Sequence, residues 1–519
     1  MSTHTTATPR AYTHSNATRL LSAGVYLEKP FRHGVIQELV RHRFRVVPPA
    51  YGYDVVTVLA HALAARSLRR KQIGATIAGW LVDLLLVKIG VIGLPGAVLL
   101  AVWVPWAFAF LRRAATLQVL TTRLRPAAST NGEAADADFP ANPALTAQLA
   151  EKIAVEQAGA KDKIFYGGYS PFVGAGWPLP DWTIAELLVP ARPHPLAEYL
   201  NPDIMDDELS EPPAVKPFTV EEITEYVARR LEADLRDKPP YGEQIANLTV
   251  ERRKYSRGGQ VPVKRRWLRA PLLVSSVGAS GGAFRLVEDQ ERYDTAREYL
   301  CVRVGSWDEE LVTSMFVSFD LRGNTLYSEF YPYVLPPVVS GFHLVDRLPA
   351  RLTPRLLWRV AWDVPVGVPA AVIRTVSGWL SRVRRLLRWR RRDLEGRVAV
   401  VDFSEFRLGR YAVELVETGA LTSVRELAAS SYYHLFFQEA DEEKYVRIVE
   451  RRLIQIVRDF LEEHNVDLAE HDARGTTILN NSTHSYGDIT NYGNNANFNQ
   501  GGQGGRQGGR SGSGGRGPN

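Results

Sequence analysis

A single cysteine in 519 residues, Cys301, rules out an intramolecular disulfide framework and any zinc site built on cysteine. Its setting, "REYLCVRV", alternates like a strand, so a buried and unreactive thiol is expected there. Lysine is scarce too, with 11 among the 63 basic residues, so the net charge of +6 comes from arginine. With abundant Ala and Val, that bias points to a GC-rich genome, and a nucleic-acid partner is not expected. The opening "MSTHTTATPRAYTHSNATRL" lacks an apolar core, so no cleavable signal peptide is expected. No HExxH or paired histidine set occurs. The glycines of "FYGGYSPFVGAGWPLPDW" (165–182) miss the dinucleotide fingerprint because Leu179 holds the third glycine position, and no phosphate-loop lysine follows them. No catalytic, cofactor-binding or metal-ligating residue is therefore nominated, and no cofactor is expected.

What the chain does have is an apolar run. Residues 91–111 carry no charge and end at Arg112 and Arg113, and about 20 apolar residues suffice to cross a bilayer core of roughly 30 Å. Residues 73–90 are nearly as apolar, interrupted by Asp83 and Lys88. Lys88 sits near an end and can snorkel; Asp83 near mid-span costs about 3 kcal/mol on insertion scales, which Leu and Ile neighbours offset. Arg66, Arg69, Arg70 and Lys71 precede the pair, and Arg112, Arg113, Arg123 and Arg125 follow it. Because basic flanks stay cytoplasmic, the expectation is a two-helix hairpin in the plasma membrane, multi-pass, with the bulk of the chain cytoplasmic. Asp83 reads as a helix–helix contact, with a pore lined by several copies as the rival.

The remaining chain reads as α+β. A cytoplasmic region is expected over 1–72 and the transmembrane hairpin over 73–113. A linker and short helix follow over 114–160, then an α+β cytoplasmic domain over 161–347. A basic membrane-surface segment over 348–392 precedes a C-terminal α+β domain over 393–472 and a disordered Asn/Gly-rich tail over 473–519. Thr219 and Glu222 form a capping box ahead of an apolar stripe of Val220, Ile223, Val227, Leu231 and Leu235. Alternation on both sides of "RGN" (322–324) reads as a hairpin of strands. Ser423 and Glu426 cap a short helix, and Val446, Val449, Leu453, Ile456, Val457 and Phe460 mark the inward face of a long one. Residues 368–392 pair an apolar face containing Trp379 with Arg374, Arg382, Arg384, Arg385 and Arg388, a pattern suited to an anionic inner leaflet. In the tail, Tyr486, Tyr492 and Phe498 recur every six residues among asparagines, so self-association is the alternative to disorder.

One motif touches catalysis. "VGASGG" holds G-x-S-x-G from Gly278 to Gly282, which would make Ser280 a nucleophile and His343 its base; no oxyanion loop is visible upstream. The aromatics Tyr166, Tyr169, Phe172, Trp177 and Trp182 crowd a glycine-rich loop that reads as folded onto its own core, with a binding surface as the alternative. Together "YGGYSPFVGAG", "EYLCVRVGSW", "LTSVRELA" and "KYVRIVERRLI" resemble a group of actinobacterial, Streptomyces-type membrane proteins with no assigned activity, over about residues 165–477. The resemblance implies a location and an architecture only. The functional expectation is a non-enzymatic, membrane-anchored cytoplasmic scaffold or sensor, partnered by an anionic inner leaflet and by a protein or a second copy. An inner-leaflet hydrolase using Ser280 and an oligomeric membrane effector or pore are the alternatives.

Overall fold

The computed structural model describes residues 15–125, 140–159, 163–191, 214–237, 244–262, 296–349, 352–364 and 415–485. Ser280, the basic stretch 368–392 and the tail from residue 486 lie outside the described residues.

The N-terminal part is helical: α1 (Asn16–Leu27), α2 (Lys29–Ile36), α3 (Val55–Lys88), α4 (Leu94–Thr122) and α5 (Ala147–Gln157). Side-chain caps fix three of the starts. Ser15 accepts from the Thr18 N–H, Asp54 from Val56 and Thr57, and Thr146 from Leu149, each satisfying donors that a helix leaves orphaned. Leu20, Leu21, Val35, Val58, Leu59 and Ile153 form the core of this layer. It is closed by Phe342 and Val345 and by Val424 and Ala428, from much later in the chain.

Seven strands form one mixed sheet: β1 (Lys163–Tyr166), β2 (Trp177–Pro178), β3 (Trp182–Leu187), β4 (Leu248–Arg257), β6 (Arg297–Ser306), β7 (Leu311–Arg322) and β8 (Thr325–Leu335), in the order β1-β4-β6-β7-β8-β2 with β3 also on β8. The short β5 (Gln260–Pro262) and β9 (Leu415–Glu417) pair apart from it. The β7–β8 hairpin turns at Gly323 and Asn324, as the alternation around "RGN" predicts. One face, carrying Leu300, Val302, Met315, Val317 and Phe330, is covered by α6 (Val220–Glu232) and α7 (Phe436–Glu463). The capping box of Thr219 and Glu222 is present, and the inward residues read for α7 are all in this core. That placement differs from the separate C-terminal domain expected over 393–472. Periodicity identified the buried face of α7 but not the sheet that buries it.

The tail also begins later than expected. Helix α8 (Ala469–Ser485) occupies residues placed in the low-complexity tail, held by the Arg474–Glu470 and Arg458–Asp472 pairs and by buried His471. His471 Nδ1 lies 2.7 Å from Glu186 Oε1 and Nε2 lies 3.0 Å from the Ile454 carbonyl oxygen. A carboxylate and a carbonyl oxygen both accept, so the pair favours the doubly protonated, positively charged ring. Burial disfavours that charge, yet the Glu186 carboxylate and the carbonyl outweigh it and raise the histidine above its ordinary 6.5. A raised value means the stabilisation is complete below 6.5 and is lost as pH climbs through the folded value. Amide protection of α8, corrected for intrinsic exchange, should therefore fall from mildly acidic to alkaline pH, and Glu186→Gln should flatten that fall. Constant protection across the range in the unsubstituted chain would rule out the charged pair.

Candidate membrane-facing site

The site begins with what α3 and α4 fail to bury. Their apolar halves pack against each other: the Trp80 indole N–H donates to the Ala101 carbonyl at 3.0 Å. Gly79 permits the approach, since a Cβ there would lie 2.4 Å from Val104 Cγ1. Outward, Leu81, Val82, Leu84 and Leu85 on α3 and Val98, Leu99, Val102 and Trp103 on α4 are exposed. Soluble surfaces rarely leave so large a contiguous apolar patch uncovered. In α4 the apolar window is 6% buried and has mean hydropathy 2.0; it is the one helix among the described residues long and apolar enough to cross a membrane. The expectation of two spans is narrowed accordingly, because Asp83 and Lys88 dilute the apolar part of α3. Asp83 is buried, and its Oδ1 has no hydrogen-bond partner among the described residues.

At a rise of about 1.5 Å per residue, the 19 steps from Arg69 to Lys88 span roughly 28 Å, and the 18 steps from Leu94 to Arg112 roughly 27 Å. Both lengths match a bilayer core of about 30 Å. Beside α4, residues 354–364 are helical. The Trp106 indole N–H donates to the Ala361 carbonyl at 3.2 Å, and Trp358 and Trp362 stack outward, 70% and 72% exposed. Trp106 stands six residues before Arg112, about 9 Å of helix. Sequence reasoning placed a basic, membrane-surface segment over 348–392; its described portion meets α4 through the Ala361 carbonyl and leaves Trp358 and Trp362 exposed.

On the far face of the sheet, Phe172 is buried among Tyr255, Tyr299, Phe316, Tyr331 and Tyr333, stacked on Phe316 at 4.0 Å between ring centres. Trp177 and Trp182 pack on the opposite core, and Tyr169 alone of the five loop aromatics is fully exposed. The loop is thus folded onto the protein's own core. Gly176 at φ +93° passes so close to β8 that a Cβ would meet the Val334 carbonyl oxygen at 2.1 Å. Cys301 is buried beneath this face, and burial pushes its thiol up to about 11, an unreactive setting.

The next layer is polar. Arg425 is fully buried and donates to the carbonyls of Glu309 (2.9 Å), Glu310 and Pro336 (3.3 Å). Its neighbour Glu426 accepts from the N–H groups of Gly174 and Gly176 and exchanges hydrogen bonds with Ser423, the cap expected there. These contacts hold the aromatic loop against the sheet. His343 lies 3.1 Å from Glu310 and 3.9 Å from Asp346, and the described part of the site brings no nucleophile to it. Among the described residues, no three His, Cys, Asp or Glu side chains converge as metal ligands would. Burial and the charge of Glu443 push Glu442 up to about 8, where it accepts from the Tyr433 hydroxyl.

A family model for the AbeC-like domain matches residues 181–497, more than half of the chain. The chain belongs to the AbeC-like domain family. No curated protein and no solved structure matches it. The AbeC-like domain takes in most of the sheet together with α6, α7 and α8, and most of the stretch that carried the resemblance. It starts just ahead of β3, so β1, β2, the Phe172 loop and the helical layer all precede it. The match supplies a family, and neither a source organism nor an activity.

Proposed function

We propose that the chain is a plasma-membrane protein anchored by a two-helix hairpin over 73–113, with its AbeC-like domain on the cytoplasmic side. There it serves as a non-enzymatic scaffold or sensor that engages a protein partner or a second copy. The observation that carries this reading is the uncovered apolar band shared by α3 and α4, bounded on both helices by arginines one bilayer thickness from their connecting turn. A soluble helix pair would pay for that exposure with no compensating burial. The tryptophan-bearing helix beside α4 supports an additional contact with the cytoplasmic interface.

Thiol labelling in intact cells tests the topology, since native Cys301 is buried and silent. Gly93→Cys should react with a membrane-impermeant maleimide, whereas Ser67→Cys and Thr122→Cys should react only after permeabilisation. Labelling of Thr122→Cys from outside, with Ser67→Cys protected, would mean that α4 crosses alone and that the folded domain faces outward.

A further inference from the structure

The start of α7 displays apolar side chains that the fold does not cover. Tyr432, Leu435, Phe436 and Phe437 are all exposed, the two phenylalanines by 76% and 67%. The phenylalanine rings meet edge to face at 5.8 Å between centres. These side chains stand on an ordered turn. The Ser430 N–H donates to the Pro337 carbonyl at 2.9 Å, and the His434 Nε2–H donates to the Val338 carbonyl at 2.7 Å. The Gln438 side chain then accepts from the N–H groups of His434 and Leu435, at 3.0 and 3.3 Å. Tyr433 packs inward against the core beneath the sheet and donates to Glu442. The turn is thus fixed from both ends, with the four apolar side chains left outside.

The rim of this patch is acidic. Glu439 and Asp441 lie one turn along α7 from Phe436 and Phe437, at the three- and four-residue spacings that make helical neighbours. The Trp307 indole N–H donates to Asp441 at 3.1 Å, which brings the β6–β7 turn and its exposed Asp308 to the same end of α7. Glu443 takes Arg447 as its partner, whereas Glu439, Asp441 and Asp308 form no ion pair with a described residue. Residues 430–443 contain no lysine or arginine, in a chain whose net charge is +6. Acids at a helix start favour the helix dipole, but that effect needs neither exposed phenylalanines nor an acid on a neighbouring turn.

We propose that Tyr432, Leu435, Phe436 and Phe437 form a docking surface for a basic amphipathic helix of a partner protein. Aromatic side chains on a preordered turn lose little freedom on binding, and they are the residues that dominate interface energetics. The acids select the partner: lysines or arginines flanking its apolar stripe meet Glu439, Asp441 and Asp308. An anionic lipid surface is repelled by the same acids. This inference rests on the scaffold reading and describes the partner. Its failure would leave the anchored topology, which thiol labelling reads, standing.

The test uses the full chain in phosphatidylcholine nanodiscs, with empty discs as the blank. The probe is a fluorescent amphipathic helix of leucine and lysine, followed by anisotropy, with a helix of leucine and glutamate as control. The lysine peptide should bind, and the glutamate peptide should bind about tenfold more weakly or worse. Phe436→Ala with Phe437→Ala should weaken binding about 30-fold, as for loss of one interface hot spot. Glu439→Gln with Asp441→Asn should cost about fivefold and flatten the fall of affinity with salt. Tyr169→Ala, at an exposed aromatic elsewhere, should leave binding unchanged. The phenylalanine variant should melt within about 2 °C of the parent; a larger drop would make the rings structural and overturn the surface. Equal binding of the two peptides, or unchanged binding by the phenylalanine variant, also overturns it. Self-association that the phenylalanine variant abolishes and the lysine peptide does not displace would assign the patch to a second copy and overturn the partner helix.

Discussion

Arg425→Met should lower the stability of the folded domain by about 3–5 kcal/mol, the range for removing one side of a buried charged network. Burial brings Arg425 down to about 10, which leaves it charged at neutral pH, and its charge is spread over three backbone carbonyls. Those carbonyls belong to the β6–β7 turn and to the segment after β8, so one side chain ties two sheet connections to the chain before α7. The turn needs the tie: Trp307, Asp308 and Glu309 are three consecutive non-glycine residues with positive φ, at 54°, 54° and 66°. Such backbone persists only where its surroundings over-determine it. Arg425→Lys should rescue little, because an ammonium cannot present a planar fork to the same carbonyls. Thermal unfolding in detergent, followed by tryptophan fluorescence, reads the effect as a drop of roughly 10 °C for a domain of this size. A melting curve within about 2 °C of the parent would mean that the carbonyls find other donors.

Phe172→Ala should cost nearly as much, about 3–5 kcal/mol, because the ring is the centre of a closed aromatic cluster and its removal leaves a cavity. Phe172→Leu should recover most of that loss, with a residual cost under about 1.5 kcal/mol. The contrast separates a core plug from a recognition loop. Were the aromatic loop a docking surface for a partner, Phe172→Ala would leave the melting temperature unchanged and abolish association instead. Tyr169, the exposed aromatic beside it, is the matched control: Tyr169→Ala should leave the melting temperature within about 1 °C.

Where neighbours along the chain decide structure, the sequence was readable. The Thr219–Glu222 capping box, the turn at Gly323 and Asn324, and the stripe from Val446 to Phe460 each depend on residues a few positions apart. Pairings between distant segments were not readable. The parallel pairing of β1 with β4 joins Ile164 to Tyr255, and nothing local to either strand names the other. Arg425 looked like one more arginine in "SVREL", because its full burial is set by carbonyls more than a hundred residues upstream. The same holds for the candidate site. The apolar runs of α3 and α4 stood out in the sequence, but the contact of Trp106 with the Ala361 carbonyl joins residues 255 positions apart.

The helical layer is closed late, and this sets a schedule for making the protein. Arg19 of α1 pairs with Asp346, 327 residues further on, and Phe31 packs against Phe342. At a synthesis rate of about 5–20 residues per second, that partner leaves the ribosome roughly 15–65 s after α1 does. The apolar halves of α3 and α4 are translated within the first third of that wait. The nascent chain thus holds finished helices without their lid while the strands are still being made. Deleting the segment around Phe342 would leave α1 and α2 stranded at this half-built stage, a natural target for quality-control proteases, however well the sheet itself had formed.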